Sequence, residues 1–134
     1  MKASSIAQRL RALLPSWRFF DRVTVPPRLY VRAVGGEWQP IAVPRRRAWS
    51  WAFSPAGNLA LAEQSTVEHL VAEVDELDPG LDHDAPAITG LVSYELVARI
   101  AREHAPAGSW QWKIVVDREG EVSDYLVSPE QAAA

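Results

Sequence analysis

The sequence has no cysteine, which excludes thiol nucleophiles, cysteine-ligated zinc, iron-sulfur clusters and disulfide staples. Its own core must hold the fold, and a chain of 134 residues can bury about two-thirds of its unfolded surface. The lack of cysteine leaves the redox compartment undecided. Long apolar runs are also missing. Nothing approaches the ~18 consecutive apolar residues that a membrane span needs. At the N-terminus, Gln8, Arg9 and Arg11 interrupt Leu10, Leu13 and Leu14, so this stretch does not read as a signal peptide.

Histidine is scarce. His69, His83 and His104 lie on three separate segments, without the spacing that sets two imidazoles on one helix face. Asp78, Asp82, His83 and Asp84 do gather in one short stretch. They lack the alternating ligands, central glycine and distal glutamate of a calcium loop, and read as a solvated surface. There is no Gly-x-Ser-x-Gly elbow, and Ser109, Ser123 and Ser128 fall at expected strand ends. Neither Asp75 with Glu76 nor Glu121 with Asp124 is marked by spacing as an acid and base pair. Gly35-Gly36 falls between two expected strands, whereas phosphate loops join a strand to a helix. No catalytic residue, metal or cofactor is therefore expected.

What is present is a polarity of charge. Met1 to Ser50 holds ten Lys or Arg against two acids, Asp21 and Glu37, for +8, and the remainder holds four against fifteen, for -11. A basic front half attracts an acidic partner or an anionic membrane surface; alternatively, the two halves pair with each other. Arg45, Arg46 and Arg47 precede Trp49 and Trp51, a mixture of guanidinium and indole that could suit a nucleic acid. The acidic second half argues against that partner.

Periodicity supplies the elements. Ser4 to Leu14 reads as a short amphipathic helix with Ile6, Leu10, Leu13 and Leu14 on one stripe, so residues 1–14 form an N-terminal unit. Pro15 ends it. Arg28 to Val34 alternates as a strand, Gly35-Gly36 turns, and Trp38 to Val43 returns. Ser54-Pro55 starts a helix to about Leu77, with Leu59, Val67, Leu70, Val71, Val74 and Leu77 toward the core. Asp78-Pro79-Gly80 stops it. Thr89 is expected to cap a second helix with Val92, Leu96, Val97 and Ile100 on its face. Trp110, Trp112, Ile114 and Val116 alternate into a last hairpin through Glu119-Gly120. These elements predict one α+β domain over residues 15–128, an antiparallel sheet from two hairpins covered on one face by two main helices, followed by a disordered tail at 129–134.

The segment Pro15-Ser16-Trp17-Arg18-Phe19-Phe20 resembles the proline, tryptophan and Phe-Phe opening of the SdpA-like family, accessory proteins of bacterial sporulation-delaying and antimicrobial peptide systems. Further along, Arg32 and Trp38 in the first hairpin, and Phe53-Ser54-Pro55 running into Asn58-Leu59-Ala60-Leu61-Ala62-Glu63, follow a similar order. The resemblance spans about Leu14 to Val127. It implies a non-catalytic accessory protein at the membrane. Its partner would be a multi-spanning protein of the HTTM (vitamin K carboxylase-like) type, and its role the maturation or export of a peptide precursor.

On this reading Trp17, Arg18, Phe19, Phe20, Arg22, Arg45, Arg46 and Arg47 form the docking set, since exposed tryptophan and arginine are the usual anchors of an interface. The chain is then soluble as written but membrane-associated, at either the cytoplasmic or the extracytoplasmic face, the cytoplasmic being slightly favoured. The alternative is a small enzyme or ligand carrier with a pocket between helices and sheet, using Arg32, Tyr94 and His104 as polar groups.

Overall fold

The computed structural model describes residues 25–41 and 55–133. Among them the elements are β1 (Arg28–Ala33), β2 (Gln39–Pro40), α1 (Pro55–Asp75), α2 (Pro86–Thr89), α3 (Val92–Glu103), β3 (Trp110–Arg118) and β4 (Glu121–Val127). The fold is α+β, with one four-stranded sheet of order β2-β1-β3-β4 in which every neighbouring pair is antiparallel. The two hairpins join through β1 and β3, so that Leu29 lies opposite Ile114 and Val31 opposite Trp112.

That register sets one face of the sheet against the helices. Leu29 and Val31 from β1, Trp110, Trp112, Ile114 and Val116 from β3, and Leu126 from β4 are buried with Val67 and Leu70 of α1 and Tyr94, Val97 and Ala101 of α3. The alternation in β3 accounts for this, because residues two apart share a face. Tyr94 meets Trp112 with ring centroids 5.1 Å apart and planes tilted by 55°, an arrangement the two ring quadrupoles favour.

Helix α1 opens on Pro55, whose missing N–H costs nothing in a first turn. Its C-terminal end tightens through Glu76 N–H to the Glu73 carbonyl (3.2 Å) and Leu77 N–H to the Val74 carbonyl (3.0 Å), which satisfies carbonyls left over at a helix terminus. Of the six residues expected on its core face, Val67 and Leu70 are buried, and Val71, Val74 and Leu77 pack against the core. Leu59 is instead 60% exposed.

The second helical segment departs further from expectation. Thr89 is not a cap. It ends the one-turn α2, where its hydroxyl donates to the Ala85 carbonyl (3.3 Å), and α3 begins after Leu91 without a side-chain cap. The link needs Gly90, because a Cβ there would stand 2.8 Å from the Pro86 carbonyl oxygen. The buried residues of α3 are Ser93, Tyr94, Val97 and Ala101, while Val92 and Leu96 are 74% and 41% exposed. Two stripes compete on this helix, and the one bearing the aromatic ring removes more apolar area from water.

In β4 the pairing jumps from Ile114 opposite Leu126 to Val115 opposite Asp124, which leaves Tyr125 as an extra residue. Such a bulge bends the strand and re-aims a side chain. Tyr125 and Leu126 thereby both serve the helical layer: Leu126 is buried in the core, and the Tyr125 hydroxyl reaches α1.

The stretch expected as a disordered tail is tied down as far as the description extends. Gln131 exchanges two backbone hydrogen bonds with Trp110, at 3.0 and 2.8 Å, and the Trp110 indole donates to the Ala132 carbonyl (3.1 Å). An acceptor offsets the cost of burying this indole N–H, and the chain beyond Ser128 supplies it.

The β3–β4 turn has Glu119 at φ 58° and Gly120 at φ 88°, two consecutive left-handed residues. Asparagine followed by glycine suits such a turn best. Replacing Glu119 with asparagine will raise stability by about 0.5 kcal/mol, because asparagine tolerates positive φ better than glutamate. A higher urea midpoint at unchanged slope will register the gain.

Candidate functional site

Two surfaces bring chemistry together. The first is the sheet face opposite the helices, which no described element covers. Pairing places Arg28, Tyr30 and Arg32 of β1 across from Val115, Lys113 and Gln111 of β3. The guanidinium of Arg32 lies 4.3 Å from the centre of the Trp38 ring, and the Lys113 ammonium lies 4.7 Å from the same ring and 5.9 Å from that of Tyr30. Cations over an indole gain from its electron-rich face.

Both cations are also held at their other side. Arg32 donates through Nε and Nη2 to Gln111 Oε1 (3.3 and 2.9 Å), and the Gln111 amide donates to the Ser128 carbonyl (3.2 Å). Lys113 donates to Asp124 Oδ1 at 2.7 Å, and its side chain is only 12% exposed. The result is a pre-ordered patch of tryptophan, tyrosine, arginine and lysine, residue types that lose little entropy on binding once their rotamers are set. Exposed Val34 and Val122 and half-buried Val115 and Val127 add apolar surface to the sheet.

The second surface is a groove of about 310 Å³ between α1 and α3, lined by Ser65, Thr66, His69, Glu73, Val92, Ser93 and Leu96. Ser93 is buried, and its hydroxyl donates to Glu73 Oε2. His69 Nε2 lies 3.6 Å from Glu73 Oε1. In a nucleophilic relay an imidazole must stand between hydroxyl and carboxylate to take the proton of the former. Here the carboxylate occupies the middle position, so His69 cannot serve Ser93 in that way.

The residues named from sequence scatter. Arg32 is on the uncovered sheet face, Tyr94 is buried on the opposite side against Trp112, and His104 is exposed where α3 ends. The structure does not gather them into a common pocket, because a strand sends successive side chains to opposite faces and Arg32 falls on the face away from the helices. Burial first, and then the nearby Asp84 carboxylate, pushes the Tyr94 hydroxyl above its ordinary value of 10.0. Trp17, Arg18, Phe19, Phe20, Arg22, Arg45, Arg46 and Arg47, and the N-terminal helix of residues 1–14, lie outside the described residues.

Asp78, Asp82, His83 and Asp84 are exposed. The Asp78 carboxylate accepts from Gly80 N–H (2.9 Å), and His83 Nδ1 accepts from Val127 N–H (3.2 Å) on the outer edge of β4. Among the described residues no group of three or more histidines or carboxylates could hold a metal ion. No helix among them is long and apolar enough to cross a membrane.

Sequence reasoning missed Gln111, Lys113, Glu73 and Ser93 as site residues. Alternation in β1 and β3 marks Gln111 and Lys113 as facing away from the core, yet nothing in it says that they meet Arg32 and Trp38. Glu73 and Ser93 come together only because α1 packs on α3.

No family model, curated protein or solved structure matches this chain.

Proposed function

We propose that this chain is a non-catalytic accessory protein that docks on a multi-spanning membrane partner of the HTTM type and assists the maturation or export of a bacterial antimicrobial peptide. The observation that carries the docking half of this reading is the uncovered sheet face, where Trp38, Tyr30, Arg32 and Lys113 are held ready by Gln111 and Asp124. Tryptophan, tyrosine and arginine dominate the energetics of protein interfaces when they are clustered and desolvated. The resemblance of Pro15 to Phe20 to the SdpA-like opening supplies the class of partner. The basic front half adds attraction to an acidic partner surface or to anionic lipid headgroups. A single-stranded nucleic acid is a poorer fit, since cations already lie over the Trp38 ring on which a base would stack.

Co-expression with the multi-spanning protein, followed by mild detergent extraction and affinity capture of the chain, will recover both proteins together. Joint replacement of Arg32 and Trp38 by alanine will lower recovery by about tenfold or more, the loss typical of a central anchor, at an unchanged far-ultraviolet circular dichroism spectrum. Alanine at Trp17, Phe19 and Phe20 tests the front segment separately, with the same loss expected. If neither set of replacements reduces capture, or if the two proteins do not co-purify, the docking reading is wrong.

A further inference from the structure

The groove between α1 and α3 lies away from the patch assigned to docking, and its chemistry is different. Its floor is the Glu73 carboxylate, whose side chain is 36% exposed. One oxygen, Oε2, accepts the hydroxyl proton of buried Ser93. The other, Oε1, faces His69 Nε2 at 3.6 Å, too far for a hydrogen bond. That oxygen therefore keeps its accepting capacity within the groove.

The walls are of two kinds. Val92 and Leu96 are apolar side chains left in water. Ser65 contributes a hydroxyl, as does Thr66, whose proton is already committed to the Ala62 carbonyl at 2.8 Å. Hydroxyl oxygens still accept when their proton is in use. The groove thus offers several acceptors around one negative charge, next to an exposed aliphatic strip. Glu76 continues the Glu73 stripe into water three positions on, while Arg99 on α3 is neutralised by Glu95 at 3.6 Å.

We infer that this groove binds a primary ammonium carried on an aliphatic stem, the chemistry of a lysine side chain flanked by apolar residues or of a free alkylamine. The ammonium has three donors and no acceptor, and Glu73 Oε1 with the hydroxyls of Ser93 and Ser65 matches it. The stem lies along Val92 and Leu96. A guanidinium pairs best by facing both carboxylate oxygens side by side, and Oε2 is already shared with the Ser93 hydroxyl. An anion would be repelled by Glu73 and Glu76.

Backbone amide shifts of the full chain, followed by nuclear magnetic resonance, test this with four probes. These are n-butylammonium chloride, n-butanol, the peptide acetyl-Leu-Lys-Leu-amide, and the same peptide with norleucine in place of lysine. The lysine peptide will produce saturating shifts at Glu73, Ser93 and Leu96, and the norleucine peptide will bind about tenfold more weakly or worse, since it leaves the carboxylate desolvated and unpaired. Glu73→Gln will weaken the lysine peptide by a similar factor. Leu96→Ala, at a solvent-facing position that the fold tolerates, will weaken it by about threefold through lost apolar contact. Saturation by n-butylammonium as well as by the peptide identifies a general amine site, and saturation by the peptide alone identifies a peptide site; either supports the inference. Equal binding of norleucine and lysine peptides, undiminished binding by Glu73→Gln, n-butanol matching n-butylammonium, or no saturating shift in the groove overturns it.

Discussion

Replacing Trp112 with alanine will cost about 3–5 kcal/mol, a large share of the roughly 5–15 kcal/mol by which a domain of this kind is stable. Trp112 is 0% exposed and stands at the junction of three packed elements: β1 through Val31 opposite it, α3 through the tilted ring of Tyr94, and its own strand β3. Its backbone is also fastened, with N–H donating to Ser128 Oγ (2.9 Å) and carbonyl accepting from Ser128 N–H (2.9 Å). Alanine would leave a cavity that a strand pinned at both backbone groups cannot collapse to fill.

Phenylalanine at the same place will cost much less, about 1–2 kcal/mol. The Trp112 Nε1–H is buried and has no hydrogen-bond partner among the described residues, so the smaller ring sheds apolar contact while also removing a donor that is paired with water in the unfolded chain. Urea denaturation of the two variants separates these contributions. A difference between them of less than about 1 kcal/mol would show that cavity size is not what sets the cost.

The second large effect concerns Tyr125 and alkaline pH. The Tyr125 hydroxyl donates to Asp75 Oδ1 (2.7 Å) and approaches the Val71 carbonyl (3.1 Å). Arg118 lies across its ring at 5.4 Å and donates to both Asp75 oxygens, at 2.9 and 3.1 Å. Burial first, then the hydrogen bond and the charge of Asp75, raises the Tyr125 hydroxyl well above its ordinary value of 10.0. The hydrogen bond to Asp75, and then its charge, also raise the Arg118 guanidinium above its ordinary value.

A raised value in the folded state means that the native chain holds the proton more tightly than the unfolded one. The associated stability is fully present below pH 10 and is lost progressively as pH climbs above it, where the unfolded tyrosine ionises and the folded one does not. Tyr94, raised by burial, contributes in the same direction. Tyr125→Phe will therefore flatten the alkaline limb of the stability curve. At neutral pH it will cost about 1.5 kcal/mol for the hydroxyl's bond to a carboxylate. Thermal melts between pH 7 and 11 give both readings. An unchanged alkaline slope would mean that other groups govern the loss.

Sequence patterning reached a long way into this fold for a simple reason. Strand and helix periods are local, and each of Trp110, Trp112, Ile114 and Val116 declares its face through neighbours two positions away. The antiparallel α+β architecture follows from them, as does the turn at Glu119-Gly120. Helix α1 was legible for the same reason in Val67 and Leu70, and Pro55 marked its start.

Three things were decided only when distant segments met. The rotation of α3 is one: Val92 and Leu96 have the apolar spacing, yet Tyr94 is buried because Trp112, on another element, offers it a ring. The bulge at Tyr125 is another, since neither Tyr125 nor Leu126 says alone that both will serve the helical layer. The third is the set of surfaces. Arg32 and Gln111 are 79 positions apart, and Glu73 and Ser93 are 20. What cysteine could not build was readable from composition alone, because an absent side chain does no chemistry in any fold. What arginine, lysine, glutamate and serine can build depended on which of them the packing of β1 on β3 and α1 on α3 brought within reach.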